Sequence, residues 1–282
     1  MKRYITLSVL ITALLISSAS CKKSNPDAAD KAANVTASPS ATPNIEAALS
    51  EMVKADQESI RQNPNEPANY YNLANAYFTA GKYTEAIEQY KQAIRLDPKD
   101  AASRFEIGQS YLRLKRYDEA FPAFNESLKL NPKNASVYHE MGNAYAEQEQ
   151  TKEAITAYQK AISLKPDHAE AYFNLGNLYA KLNMSAEAIK AFQQATRHNP
   201  KDPDGFYNLG NSYSRLKRFD EAINAYKEAV KLKPTDAESH LRLAVLYLEK
   251  GDREAATAEY NTLKGMNPQL AQMLDQKLNQ QK

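Results

Sequence analysis

Apolar and small residues along this chain fall on helical stripes, and the stripes come in pairs. In residues 169–202, Tyr172, Leu175, Gly176 and Tyr179 stand at i, i+3, i+4 and i+7, and Ala188, Phe192 and Ala195 follow at i, i+4 and i+7. Between the stripes lies Asn183, a residue that tolerates the left-handed turn conformation. Pro200 blocks any continuation of the second stripe. The pattern predicts a helix from Ala169, a tight turn, and a second helix ending before Pro200. The proline recurs as Pro64, Pro98, Pro132, Pro166, Pro200, Pro234 and Pro268, each 34 residues from the last. A fixed period of this length predicts a stack of helix pairs, each packed on its neighbours, rather than one closed core. Such a stack offers a long surface of repeated helix faces, which favours binding over catalysis.

Small residues have a steric task in this pattern. Gly176 and Ala188 allow the two helices to approach, and Tyr172, Tyr179 and Phe192 fill the space around them. Beyond the periodic region, residues 45–62 form an amphipathic helix with Ile45, Leu49, Met52, Val53 and Ile60 on one side and Asn44 as its N-cap. It ends at the first in-phase proline, which suggests a degenerate second helix. A final helix over 269–280 carries Leu270, Met273, Leu274 and Leu278. Both segments suit the covering of an exposed terminal face.

The unit resembles the tetratricopeptide repeat (TPR), which reads Trp-x-x-Leu-Gly-x-x-Tyr, then Ala-x-x-x-Phe, then Pro. Here the residues are Tyr70-Leu73-Ala74-Tyr77, Ala86, Tyr90; then Ile107-Gly108-Tyr111, Ala120, Phe124; then Tyr138-Met141-Gly142-Tyr145, Ala154, Tyr158. The unit at 169–202 is the fourth. Phe206-Leu209-Gly210-Tyr213, Ala222, Tyr226 and His240-Leu243-Ala244-Tyr247, Ala256, Tyr260 complete the set. The resemblance implies an all-α TPR solenoid, a right-handed superhelix of antiparallel helix pairs. Its six repeats would be 67–100, 101–134, 135–168, 169–202, 203–236 and 237–270, with capping helices at 44–66 and 268–282. Tyr or Phe replaces the family's Trp, and Arg104 and His240 take that slot in repeats two and six, where looser packing is expected. Pro122 falls inside the second helix of repeat two.

In the family, the side of the first helix opposite this stripe lines a concave inner groove. The residues at those positions include Asn75, Gln109, Asn143, Asn177 and Asn211 at one level and Asn72, Asn174 and Asn208 at another. Tyr71, Phe105, Phe173 and Tyr207 recur beside them, with His139 in repeat three. Carboxamides both donate and accept, so such rows can hold an extended peptide by its backbone. They resemble the asparagine ladders of peptide-binding members of the family. For the aromatic row, packing between first helices takes precedence over ligand contact. For the asparagines, peptide contact and bonding between units stand level. Tyr71 stands where chaperone-binding members carry a lysine, so a carboxylate clamp is not expected.

Composition adds the N-terminus. Lys2 and Arg3, the apolar run from Ile5 to Ile16 and the small residues Ser17 to Ser20 form a secretory signal over 1–21. Cys21, the only cysteine, resembles the lipid acceptor of bacterial lipoproteins, although Ser18 stands where Leu, Val or Ile is usual. Lys22, not Asp, follows it, which points to the outer membrane facing the periplasm. Residues 22–43, rich in Pro, Ala, Ser and Thr, read as a flexible tether. Without Lys2 and Arg3 the remaining 34 basic and 34 acidic residues balance, so nucleic acid is not an expected partner. No nucleophile elbow, phosphate loop, dinucleotide glycine motif or H-E-x-x-H pair occurs. His168 and His198 fall in turns and are expected to be exposed. No cofactor, metal or catalytic residue is assigned. The reading is a lipid-anchored, non-catalytic scaffold that lays an extended segment of a partner protein in the groove during envelope complex assembly. Self-association through apolar ends, with Leu241 and Val245 as a contact patch, is the alternative, as is glycan binding by the tyrosines.

Overall fold

The computed structural model describes residues 42–280. The expected signal, Cys21 and nearly all of the expected tether lie outside them. Fourteen helices and no strand occur among the described residues. They fall into two units, one ending at Leu130 and the other beginning at Asn131. The first unit holds α1 (Thr42–Gln62), α2 (Pro67–Thr79), α3 (Tyr83–Leu96), α4 (Ala101–Arg113) and α5 (Tyr117–Leu130). The second holds α6 (Ala135–Glu147), α7 (Thr151–Leu164), α8 (Ala169–Lys181), α9 (Ser185–His198), α10 (Pro203–Arg215), α11 (Phe219–Leu232), α12 (Ala237–Glu249), α13 (Arg253–Met266) and α14 (Pro268–Gln280). Among the described residues no helix is long and apolar enough to cross a membrane.

Within each unit the first helix of a repeat packs on its own second helix, and that helix on the next first helix. The closest approach is at the alanine of the second helix: Ala86, Ala120, Ala154, Ala188, Ala222 and Ala256 are each 0% exposed. One turn later comes the large ring, Tyr90, Phe124, Tyr158, Phe192 or Tyr226, likewise buried. In repeats two to five that ring lies flat against a glycine of the first helix. A Cβ added at Gly108, Gly142, Gly176 or Gly210 would come within 2.5–2.8 Å of it.

The turn inside each repeat closes in the same way six times. Gly81, Lys115, Glu149, Asn183, Lys217 and Gly251 all have positive φ, although only two are glycine. The following N–H reaches back five residues to the carbonyl of the motif tyrosine, as from Lys82 to Tyr77, Met184 to Tyr179 and Asp252 to Tyr247 (2.8–2.9 Å). This bond satisfies one of the carbonyls orphaned at the helix end and fixes the turn. Four of the six first helices begin on a side-chain cap: Asp100, Asn134, Asp202 and Asp236 each accept a backbone N–H from the first turn.

Several expectations are corrected. The first helix starts at Thr42, so Asn44 lies inside it and is not its N-cap. Arg104 and His240 are not loosely packed. Arg104 donates to the Asp100 carbonyl at 2.7 Å and faces Glu126 at 3.6 Å. The buried His240 ring lies between the Glu259 carboxylate at 2.5 Å and the Pro234 carbonyl at 3.1 Å. Met273 points outward at 58% exposure, and Ala271, Leu274 and Leu278 carry the buried face of α14 instead.

At the start of the first unit, α1 meets α2 as a second helix meets the next first helix. Gln57 donates to the Tyr77 hydroxyl, as Gln159 does to Tyr179 and Gln193 to Tyr213. Asp56 is half-buried on α1 without an ion pair, and burial pushes its carboxyl from 3.8 up to about 6. A raised carboxylate pKa favours the folded state when protonated, so the first unit should lose stability as pH rises from about 4 through 6. Asp56→Asn is expected to flatten that loss in melting curves recorded across this range. Pro122 is the sixth residue of α5 and exposed, so its ring removes a helical bond without filling the core. Pro122→Ala is expected to raise unfolding free energy by about 2 kcal/mol in chemical denaturation.

Candidate peptide-binding face

The aromatic row of the first helices is a packing feature. Tyr71 meets Tyr90 with ring centroids 5.6 Å apart, Phe105 meets Phe124 at 6.0 Å, and Phe173 meets Phe192 at 5.8 Å. Tyr207 meets Tyr226 at 5.7 Å, and His139 meets Tyr158 at 5.8 Å. Each ring packs on the second helix of its own repeat, and several also reach the next first helix, as His139 does to Asn174 and Tyr207 to Arg242. The tilted and edge-to-face geometries are those that aromatic quadrupoles favour.

The asparagine row divides according to the ring behind it. Tyr90, Tyr158 and Tyr226 donate their hydroxyls to the Oδ1 atoms of Asn75, Asn143 and Asn211 at 2.6–2.7 Å. Burial pushes all three phenols up, so each hydroxyl keeps its proton to donate. Repeats two and four have Phe124 and Phe192 instead, and no hydroxyl meets Gln109 or Asn177. Asn177 is exposed, Gln109 and Asn75 half-buried.

The second row also divides. Asn174 Nδ2 donates to Asn143 Oδ1 at 2.9 Å and lies 3.1 Å from His139 Nε2. Asn143 Nδ2 in turn donates to Glu140 at 3.1 Å. These side chains form a bonded floor in repeats three and four. Asn72 in the first unit is exposed, and Asn75 there also bonds Tyr71. Asn208 and Asn211 line an open recess of about 310 Å³ in the second unit, together with Ser212, Ser214, Arg215, Tyr226 and Arg242. No carboxylate lines it, although Glu238 on α12 faces Arg242 at 3.9 Å. Arg242 is held by the Tyr207 hydroxyl, which raises its pKa, and Arg215 donates to Asn183 at 2.9 Å. The arginines were not assigned from the sequence. Their signal was the change to Arg215 and Arg242 at positions that hold Lys181 and Asn208 one repeat earlier.

His198 is exposed as expected, but His168 is not. It is buried against His139, with ring centroids 4.8 Å apart. Burial, and next the neighbouring His139, lower its pKa. Leu241 and Val245, expected as a contact patch, are partly buried against the apolar cluster that α14 completes with Ala271, Leu274 and Leu278.

The model of the Cilia and flagella-associated protein 70 C-terminal domain, a TPR family, matches residues 13–260. The chain belongs to this tetratricopeptide-repeat family. Solved structures agree on the fold. One, described as a functional characterization of Pseudomonas aeruginosa pilF, has a TM-score of 0.63 at 20% identity and covers 75% of this chain and 97% of its own. YrrB, described as a TPR protein with an unusual peptide-binding site, has a TM-score of 0.52 at 26% identity over 66% of this chain and 96% of its own. The C-terminal part of a TPR repeat-containing protein from Cytophaga hutchinsonii has a TM-score of 0.66 at 15% identity over 79% and 92%. No curated protein matches the chain.

The division of the asparagine row separates two roles. Asn143→Ala and Asn211→Ala remove the acceptors of the Tyr158 and Tyr226 hydroxyls and are each expected to cost about 1 kcal/mol. Asn177→Ala is expected to leave the melting temperature of the full chain unchanged, as measured by calorimetry.

Proposed function

We propose that this chain is a non-catalytic scaffold that binds an extended, acidic segment of a partner protein along the first helices of repeats four to six. The observation that carries the reading is the recess at Asn208, Asn211, Arg215 and Arg242, which combines carboxamides, two guanidinium groups and no acid. Carboxamides suit a peptide backbone, and guanidinium groups suit an acidic side chain. The described peptide-binding site of YrrB supports the peptide part of the reading. The bonded floor formed by Asn143, Asn174 and His139 supplies rigidity beside the recess rather than contacts of its own.

The proposed setting is the bacterial envelope. The basic start, apolar run and Cys21 support export followed by lipid attachment, with residues 22–41 as a spacer before α1. The protein would then stand on the outer membrane and collect partners during assembly of an envelope complex.

Peptide arrays followed by calorimetry test the binding reading. Acidic extended peptides are expected to bind, and Arg242→Ala with Asn208→Ala is expected to weaken them at least tenfold while the melting temperature holds. Equal affinity for neutral peptides would remove the acidic preference, and absence of peptide binding would remove the reading altogether. Mass spectrometry of residue 21 in cell membranes tests the anchor: an acylated Cys21 is expected, and an unmodified thiol in the soluble fraction contradicts it.

A further inference from the structure

Two departures from the repeat pattern meet at one point of the second unit. Position 168 is a helix-cap position, and four of its counterparts, Asp100, Asn134, Asp202 and Asp236, cap with their side chains, while Glu66 does not. His168 makes no capping bond. Position 139 belongs to the ring row, held elsewhere by Tyr71, Phe105, Phe173 and Tyr207, and it too is a histidine. The two imidazoles are 7% and 8% exposed. Glu170, in the first turn of α8, reaches the same place. One ligand atom each from His139, His168 and Glu170 lies within 4.8 Å of the others.

The surroundings suit a cation held by nitrogen. The His168 ring lies against His139, with ring centroids 4.8 Å apart, which brings imidazole nitrogens from α6 and from the start of α8 together. His139 Nδ1 faces the Glu140 carboxylate at 3.6 Å, the position of the backing group that orients many metal-bound imidazoles. Its Nε2 is approached by the Asn174 amide, which also has Asn143 as a partner and so can yield. Glu170 is exposed, and its carboxylate is free to rotate inward. Ligand atoms around a tetrahedral ion stand about 3.3 Å apart, so all three groups would have to close on the ion as it binds.

We propose that His139, His168 and Glu170 form a site for a divalent transition-metal ion of the zinc type, with water in the remaining position. Two imidazoles and one carboxylate are a donor set for such ions and not for magnesium or calcium, which prefer all-oxygen shells. The ion would tie α6 to the start of α8 and make the joint between repeats three and four stiffer when loaded. This inference does not rest on the peptide reading, but a bound ion would displace the Asn174 amide from His139 in the bonded floor.

The test uses the full chain with Cys21→Ser, which removes the thiol as a competing ligand. Titration calorimetry with zinc chloride is expected to show one saturable site per chain, and magnesium chloride none. His168→Asn restores the cap found at Asn134, so the fold should hold. In EDTA this variant is expected to melt at or above the parent temperature, yet to bind zinc at least tenfold more weakly. Glu170→Gln, a surface change, should weaken zinc with no effect on the circular dichroism spectrum. A lack of saturable zinc binding, or zinc affinity unchanged in both variants, would overturn the proposal.

Discussion

The contact between one ring of the second helix and one small residue of the first sets the geometry of every repeat. Phe124, Tyr158, Phe192 and Tyr226 lie so near Gly108, Gly142, Gly176 and Gly210 that a methyl group would collide with them. A glycine within a helix costs about 1 kcal/mol relative to alanine. Close packing of a whole buried ring offsets that cost, because dispersion and area burial both grow with contact. Once the ring is fixed, the rest follows from it: its edge orders the aromatic or histidine of the first helix, and its para position points at the groove-side carboxamide.

This hierarchy explains what was legible in the residues. The helix pairs could be read because proline, alanine and the apolar stripe recur at a fixed distance, and each acts locally on the backbone. The turns could be read from Asn183 but not from Lys115, Glu149 or Lys217, which take the left-handed conformation only because the following N–H bonds back to a tyrosine carbonyl. Propensity gives no sign of that. The role of the carboxamides was open for a similar reason. Asn143 and Tyr158 are 15 residues apart on different helices, and their bond needs the crossing of the pair to be known.

The histidines show where local reasoning stops. His168 lies beside a turn, and turn residues are usually exposed, yet packing on the His139 ring of α6 buries it. In the Trp slot, Arg104 and His240 keep their places by finding polar partners, Asp100 and Glu126 for one, Pro234 and Glu259 for the other. A buried polar side chain is tolerated where its bonds are complete. Substitution by type alone could not foretell which neighbours would complete them.

The phenol oxygen of the second-helix ring has a wider meaning. It is a single atom set behind the amide that it bonds. With it, the amide in front is already engaged, as at Asn211; without it, as in front of Phe192, the amide of Asn177 faces outward unspent. Exchange of Tyr for Phe hardly alters shape, so recognition in such arrays can drift through mutations at the hidden side while the visible lining stays constant. Comparison of surface residues alone would miss that change.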